Sequence, residues 1–174
     1  RFLVIDGSSL IHRAFFALPP LMNRQGLHTG AVYGFCNMLL KLLEEIQPKY
    51  IAVAFDKSRK TFRTEMFADY KGTRKPTPSE LSEQFPLTIK VLEALNIVSL
   101  ELDNYEADDI IGTVGRICSN NDWECVIVTG DRDSLQLIDE NVHVKLVISK
   151  PGQTTATLYT EEKFREEYGF EPKK

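Results

Sequence analysis

Residues 105–133 read YEADDIIGTVGRICSNNDWECVIVTGDRD, and this stretch decides the fold. Ala107, Ile110, Ile111, Val114 and Ile117 recur at helical spacing, which predicts an amphipathic helix over Glu106–Asn120. Cys125-Val126-Ile127-Val128 is an unbroken apolar run, as a strand buried on both faces requires. Acids stand at both ends of the pair. Glu106, Asp108 and Asp109 open the helix, and Asp131 and Asp133 follow the strand in Thr129-Gly130-Asp131-Arg132-Asp133. Asp131 can cap a further helix reaching Asp139.

Two more apolar runs end the same way. Phe2-Leu3-Val4-Ile5 leads into Asp6 and the turn Gly7-Ser8-Ser9, and Tyr50–Phe55 leads into Asp56. Leu10–Leu18 predicts a short helix, stopped by Pro19-Pro20. A loop follows over Asn23–Gly30. Val32, Phe35, Leu39, Leu42, Leu43 and Ile46 mark a long helix, and Phe85, Ile89, Leu92 and Leu95 another. Ile97–Leu102 reads as a third strand near an edge and Val142–Ile148 as a fifth. Lys150-Pro151-Gly152-Gln153 turns the last of these back into Thr154–Tyr159, and Thr160-Glu161-Glu162-Lys163 starts a short final helix. Strands alternating with helices predict an α/β fold, a mainly parallel twisted sheet of about five strands with helices on both faces and a C-terminal β-hairpin.

At 174 residues the chain is long enough for one domain with a full core. No apolar run approaches the ~20 residues of a membrane span, and no signal peptide is evident. Cys36, Cys118 and Cys125 lack a C-x-x-C spacing and read as reduced core residues. The net charge of −4 argues by itself against nucleic acid, but its distribution does not. Residues 57–75 hold seven basic side chains and two acidic ones, so the rest of the chain carries −9. Phe62-Arg63 and Tyr70-Lys71-Gly72-Thr73-Arg74 interleave aromatic rings with cations, a combination suited to phosphates and unstacked bases. The alternative is a solvated charged face.

In a parallel sheet, the carboxyl ends of the strands share one crevice. Asp6, Asp56, Glu106, Asp108, Asp109, Asp131 and Asp133 would then crowd a single rim, a costly arrangement unless cations offset it. Taken singly, each acid is equally a helix cap or a first-turn acid favoured by the helix dipole. Jointly they suggest hard oxygen ligands for Mg²⁺ or Mn²⁺, and there are enough of them for two ions about 4 Å apart, as in phosphoryl transfer.

Val4-Ile5-Asp6-Gly7, Ala31-Val32-Tyr33-Gly34-Phe35, Val53-Ala54-Phe55-Asp56, Tyr70–Arg74, Tyr105–Asp109 and Thr129–Asp133 occur in that order. As an ordered set they resemble the 5′–3′ exonuclease domains of bacterial DNA polymerases of type I, within the flap endonuclease family and its PIN-like three-layer fold. The resemblance implies hydrolysis of phosphodiester bonds in DNA by two divalent metals, removing 5′ flaps, 5′ nucleotides or RNA primer ends in replication and repair. It implies Asp6, Asp56, Glu106 and Asp108 at one metal and Asp131 and Asp133 at the other, with Asp109 close by. Arg63, Tyr70, Lys71 and Arg74 would bind DNA as part of a mobile basic arch over 57–77 that gathers the 5′ single strand, with Lys71 and Arg74 nearest the scissile phosphate.

The family continues into a helix–turn–helix DNA-binding module and a G-x-x-S-D-N-x-P-G segment that completes the second metal site. Neither occurs within 1–174, so the expectation is a piece of the domain, with its second site incomplete, weak or absent cleavage, and a polymerase possible downstream. The expected location is the bacterial cytoplasm, at the nucleoid. Two alternatives stay open: a fragment that binds DNA structures without catalysis, and a PIN-type single-strand ribonuclease. A receiver-like phosphoacceptor fits poorly, since Lys145 lies inside its strand and Lys150 beyond it.

Overall fold

The computed structural model describes residues 1–58, 61–67, 76–150 and 153–172. Its centre is a six-stranded sheet of order β3-β2-β1-β4-β5-β6, formed by β1 (Phe2–Asp6), β2 (Tyr50–Ala54), β3 (Val98–Leu100), β4 (Cys125–Thr129), β5 (Val142–Lys150) and β6 (Gln153–Tyr159). The first five run parallel, and β6 returns antiparallel to β5 as the expected hairpin. Its turn residues Pro151 and Gly152 lie outside the described residues. Seven α-helices complete the chain: α1 (Gly7–Ala17), α2 (Gly30–Ile46), α3 (Phe62–Met66), α4 (Ser79–Ser82), α5 (Gln84–Ala94), α6 (Ala107–Asn120) and α7 (Glu161–Tyr168) among the described residues.

Alternation along the strands divides the core in two. Leu3, Ile5, Val53, Phe55, Val126 and Val128 face one cluster with Leu10, Phe35, Leu39 and Leu92, whereas Val4, Ala54 and Ile127 face Ala107, Ile111, Leu146 and Phe164 on the other side. Both faces are therefore covered, which is why these strands read as continuous apolar runs rather than alternating ones. Cys118 and Cys125 are buried, Cys36 is half-buried, and all three are free; burial pushes each thiol up. Among the described residues no helix is long and apolar enough to cross a membrane.

Four local expectations change. Asp6-Gly7-Ser8-Ser9 is no separate turn: Asp6 caps α1, which starts at Gly7. A Cβ on Gly7 would lie 2.5 Å from the Phe55 ring, so glycine here permits close helix–strand approach rather than a bend. The third strand keeps only Val98–Leu100 and stands at the sheet edge. In α6 the buried stripe is Ala107, Ile111, Gly115 and Cys118, while Ile117 turns outward and is 50% exposed. The helix expected after Asp131 is a 3₁₀ helix, Arg132–Leu137. Within it Ser134 and Leu135 are buried, and Ile138, just past its end, is buried as well.

The order of strands places the site. From β1 the chain passes through α1 and α2 to β2 on one side, and later arrives at β4 on the other, so β1 and β4 flank the point where the winding reverses. Ligands bind outside the carboxyl ends of strands at such a point.

Candidate metal centre

Asp6 lies at that reversal. It is 4% exposed, and its carboxylate accepts the Ser9 amide (2.9 Å) and the Thr129 hydroxyl (2.8 Å). The Thr129 oxygen in turn accepts the Asp131 amide at 3.0 Å, so one fully buried threonine joins the acid that ends β1 to the acid after β4. Asp131 caps the 3₁₀ helix by accepting the Asp133 amide at 2.9 Å.

On the opposite side of Asp6, the Asp56 amide donates to Ser8 Oγ (3.0 Å), and the Asp56 carboxylate accepts the Ala107 amide at the start of α6 (2.8 Å). Asp109 closes the first turn of α6 by accepting the Glu106 amide at 2.9 Å. Hydrogen bonds thus link Asp133, Asp131, Thr129, Asp6 and Ser9, and the adjacent Ser8 leads through Asp56 to Ala107 at the start of α6, beside Glu106 and Asp108. Glu106, Asp108, Asp109 and Asp133 also line one cleft of about 820 Å³ between α6 and the 3₁₀ helix. Asp6, Asp56 and Asp131 stand outside that cleft, at the carboxyl ends of β1, β2 and β4.

Electrostatics agree with the geometry. Burial raises Asp6 from its ordinary 3.8 to about 7, the Ser9 and Thr129 bonds oppose the rise, and the charges of Asp108 and Asp56 add to it. A carboxyl desolvated and flanked by other carboxyls would be relieved by a cation. The donor set is all oxygen, as Mg²⁺ or Mn²⁺ requires. The donors are not gathered into a cage: among the described residues no group of three His, Cys, Asp or Glu side chains already stands arranged to hold a metal. Backbone amides engage Asp6, Asp56, Asp109 and Asp131 instead, Thr129 adds a bond to Asp6, and Arg63 adds its fork on Asp109.

Arg63 shares the rim. On α3, it donates from both terminal nitrogens to Asp109, each at 2.7 Å, and reaches Glu106 at 3.8 Å. Tyr70, Lys71 and Arg74 lie outside the described residues.

Arg13 was not singled out by its sequence context. Ser9 and Arg13 are four apart on α1 and so share a face. Ser9 Oγ accepts the Gly130 amide at 3.1 Å, and the Arg13 guanidinium donates to the Gly130 carbonyl. A Cβ at position 130 would fall 1.5 Å from Arg13 Nε, so the glycine of the Thr129-Gly130-Asp131 turn makes room for this side chain. Only the i, i+4 pairing of a serine with an arginine just after an Asp cap signals it.

Architecture defines the class: a mainly parallel α/β sheet with the PIN-like form of flap endonucleases. The structure superposes on the flap endonuclease of bacteriophage T5 co-crystallised with metal ions at a TM-score of 0.70, covering 97% of this chain and 60% of that one at 19% identity. A complex of the T5 enzyme with DNA and metal ions matches at 0.69, with the same coverage and identity. At such identity the likeness speaks for the fold alone. The family model for the 5′-3′ exonuclease N-terminal resolvase-like domain matches residues 1–169, and the chain belongs to that family. DNA polymerase I of Bacillus caldotenax is 51% identical over 172 residues, which is 99% of this chain and 19% of the relative; the chain spans about a fifth of that protein.

Proposed function

We propose that this chain is the metal-binding part of a 5′–3′ exonuclease and 5′-flap endonuclease that hydrolyses phosphodiester bonds in DNA. The observation that carries it is the contact set joining Asp6, Asp56 and Asp131 at the ends of three adjacent strands. Asp6, Asp56, Glu106 and Asp108 would hold one Mg²⁺ or Mn²⁺, and Asp131 and Asp133 a second. Ions held there would supply activation of a water and charge stabilisation for the departing 3′ oxygen. Thr129 keeps Asp6 and the Asp131 turn in register, and Ser9 and Arg13 fix the Gly130 peptide beside them. Tyr70, Lys71 and Arg74 would gather the 5′ strand, by family resemblance. Substrates would be DNA with 5′ flaps, nicks or branched ends and RNA–DNA primer ends. The same proposal sets the protein at the bacterial nucleoid, within a longer polypeptide that carries a polymerase.

The test is cleavage of 5′-flap DNA, with a single-stranded RNA as competitor substrate, in Mg²⁺ or Mn²⁺ and with Asp131→Ala as control. Preferred cleavage of RNA would overturn the proposal in favour of a PIN-type ribonuclease. A second possibility, binding of branched DNA without cleavage by this chain, is favoured by the ungathered carboxylates. It predicts flap binding that survives Asp131→Ala, with no cleavage by the parent.

A further inference from the structure

We infer that Arg63 is a positioning residue: its fork on Asp109 fastens the base of the basic segment to the first turn of α6 and so holds Glu106 and Asp108 in place. This inference rests on the nuclease proposal, and departs from the expectation that Arg63 grips DNA.

The attachment uses four kinds of contact within a few residues. Lys57 pairs with Asp103 at 2.9 Å. Thr61 forms a parallel bridge with Asn104, and the Phe62 amide donates to the Asn104 carbonyl at 3.0 Å. Asn104 has φ of 68°, a conformation Asn tolerates better than most residues. The Phe62 ring meets Tyr105 at 5.6 Å, and the Arg63 guanidinium lies 4.6 Å from the same ring. Between these contacts Arg63 makes its two bonds to Asp109.

Asp109 Oδ2 is the junction. It accepts Arg63 Nη1 at 2.7 Å and the Glu106 amide at 2.9 Å, so one oxygen joins the segment's cation to the cap of the acid-bearing helix. The pair is half-buried, with side-chain exposures of 31% and 22%, so solvent screens it less than an open surface pair. A planar fork met by a carboxylate fixes orientation as well as distance, which a lysine cannot do. Both terminal nitrogens are committed to protein, which suits a fastening better than a grip on phosphate.

The experiment uses the full-length polypeptide with Arg63→Gln, Asp109→Asn and the double variant, read as kcat and KM on flap DNA in Mg²⁺. Each single change lowers kcat by about 10–100-fold, as loss of a group orienting metal ligands does, with KM within about twofold of the parent. The double variant is no worse than the poorer single, and Arg63→Lys does not rescue. A raised KM in Arg63→Gln alone, with effects that multiply in the double variant, overturns the inference and makes Arg63 a substrate contact. If the parent cleaves nothing, the nuclease proposal falls, and amide hydrogen exchange decides the fastening. Exchange at Glu106 and Ala107 about tenfold faster in Arg63→Gln upholds it, and unchanged exchange overturns it.

Discussion

On the strand side of the rim, Asp6 and Asp131 are held by a buried threonine and by backbone amides; on the helix side, Asp109 is held by an arginine. The two sides solve one problem differently. Beside β1 and β4, burial pushes Asp6 up to about 7, and the neutral donors that orient it oppose that rise without cancelling it. Beside α6, a resident cation offsets the charge directly. The strand side therefore has the most to gain from a bound ion, and the helix side depends most on the segment that delivers its arginine.

Asp6→Asn should give the largest effect and the plainest contrast. Flap cleavage falls by on the order of 10²–10³-fold, the scale for losing a main electrostatic element. Stability of the metal-free protein moves the other way. Because Asp6 is raised from 3.8 to about 7, the folded state holds a proton that the unfolded state releases between those values. Its contribution is therefore whole below pH 3.8, declines as pH rises towards about 7, and is gone above that. At pH 8 the buried charge costs up to about 4 kcal/mol, and Asn should recover about 2–4 kcal/mol. Urea unfolding in EDTA at pH 8 and pH 5 checks this, and a gain that does not shrink at pH 5 contradicts the burial argument.

Thr129→Val tests whether the neutral side depends on one hydroxyl. Valine keeps the volume but leaves the Asp131 amide and Asp6 Oδ2 without their partner. The expected loss is about 1–3 kcal/mol, the usual cost of an unsatisfied buried polar group. Thr129→Ser should restore most of it. Equal losses in Val and Ser would mean that packing of the methyl, not the bridge, matters.

Much of this contrast was invisible in the sequence, for definable reasons. Strands buried on both faces, with acids at their ends, are short-range patterns, and β1, β2, β4 and the opening of α6 were legible from them. Gly7-Ser8-Ser9 is turn-rich in composition, yet Asp6 caps it as the start of α1, with Gly7 leaving room for Phe55. Ile117 completes a helical stripe on paper, but α6 packs through the smaller Gly115 and Cys118. The Arg63–Asp109 pair spans 46 residues, and no local pattern encodes it. Arg13 and Gly130 are farther apart still, at 117. Which acids stand at the ends of strands and helices was readable; what keeps each in place depends on partners brought close only by the sheet.

Gly130→Ala should be milder than Thr129→Val. The added methyl meets Arg13, the far end of a flexible side chain, which can swing aside. The cost is the bond to the Gly130 carbonyl, about 1 kcal/mol. Thermal unfolding in EDTA measures it. A loss of more than about 3 kcal/mol, the range for overpacking a rigid site, would mean that Arg13 cannot leave, and the strand side would then be as dependent on a fixed cation as the helix side.

The smallest effect is expected on the helix side, from Lys57→Ala. Lys57 and Asp103 are paired at 2.9 Å, but their side chains are 47% and 77% exposed, so water and salt screen the attraction. Removing the pair should change stability by less than about 0.5 kcal/mol. Because the backbone bridge at Asn104 and the Arg63 fork remain, flap cleavage should stay within about twofold of the parent at both low and high salt. A loss of cleavage that appears only at low salt would show that the outer pair, and not the fork, carries the attachment. The inner and outer contacts of α3 would then exchange roles, and the helix side would owe its order to a contact that physiological salt weakens.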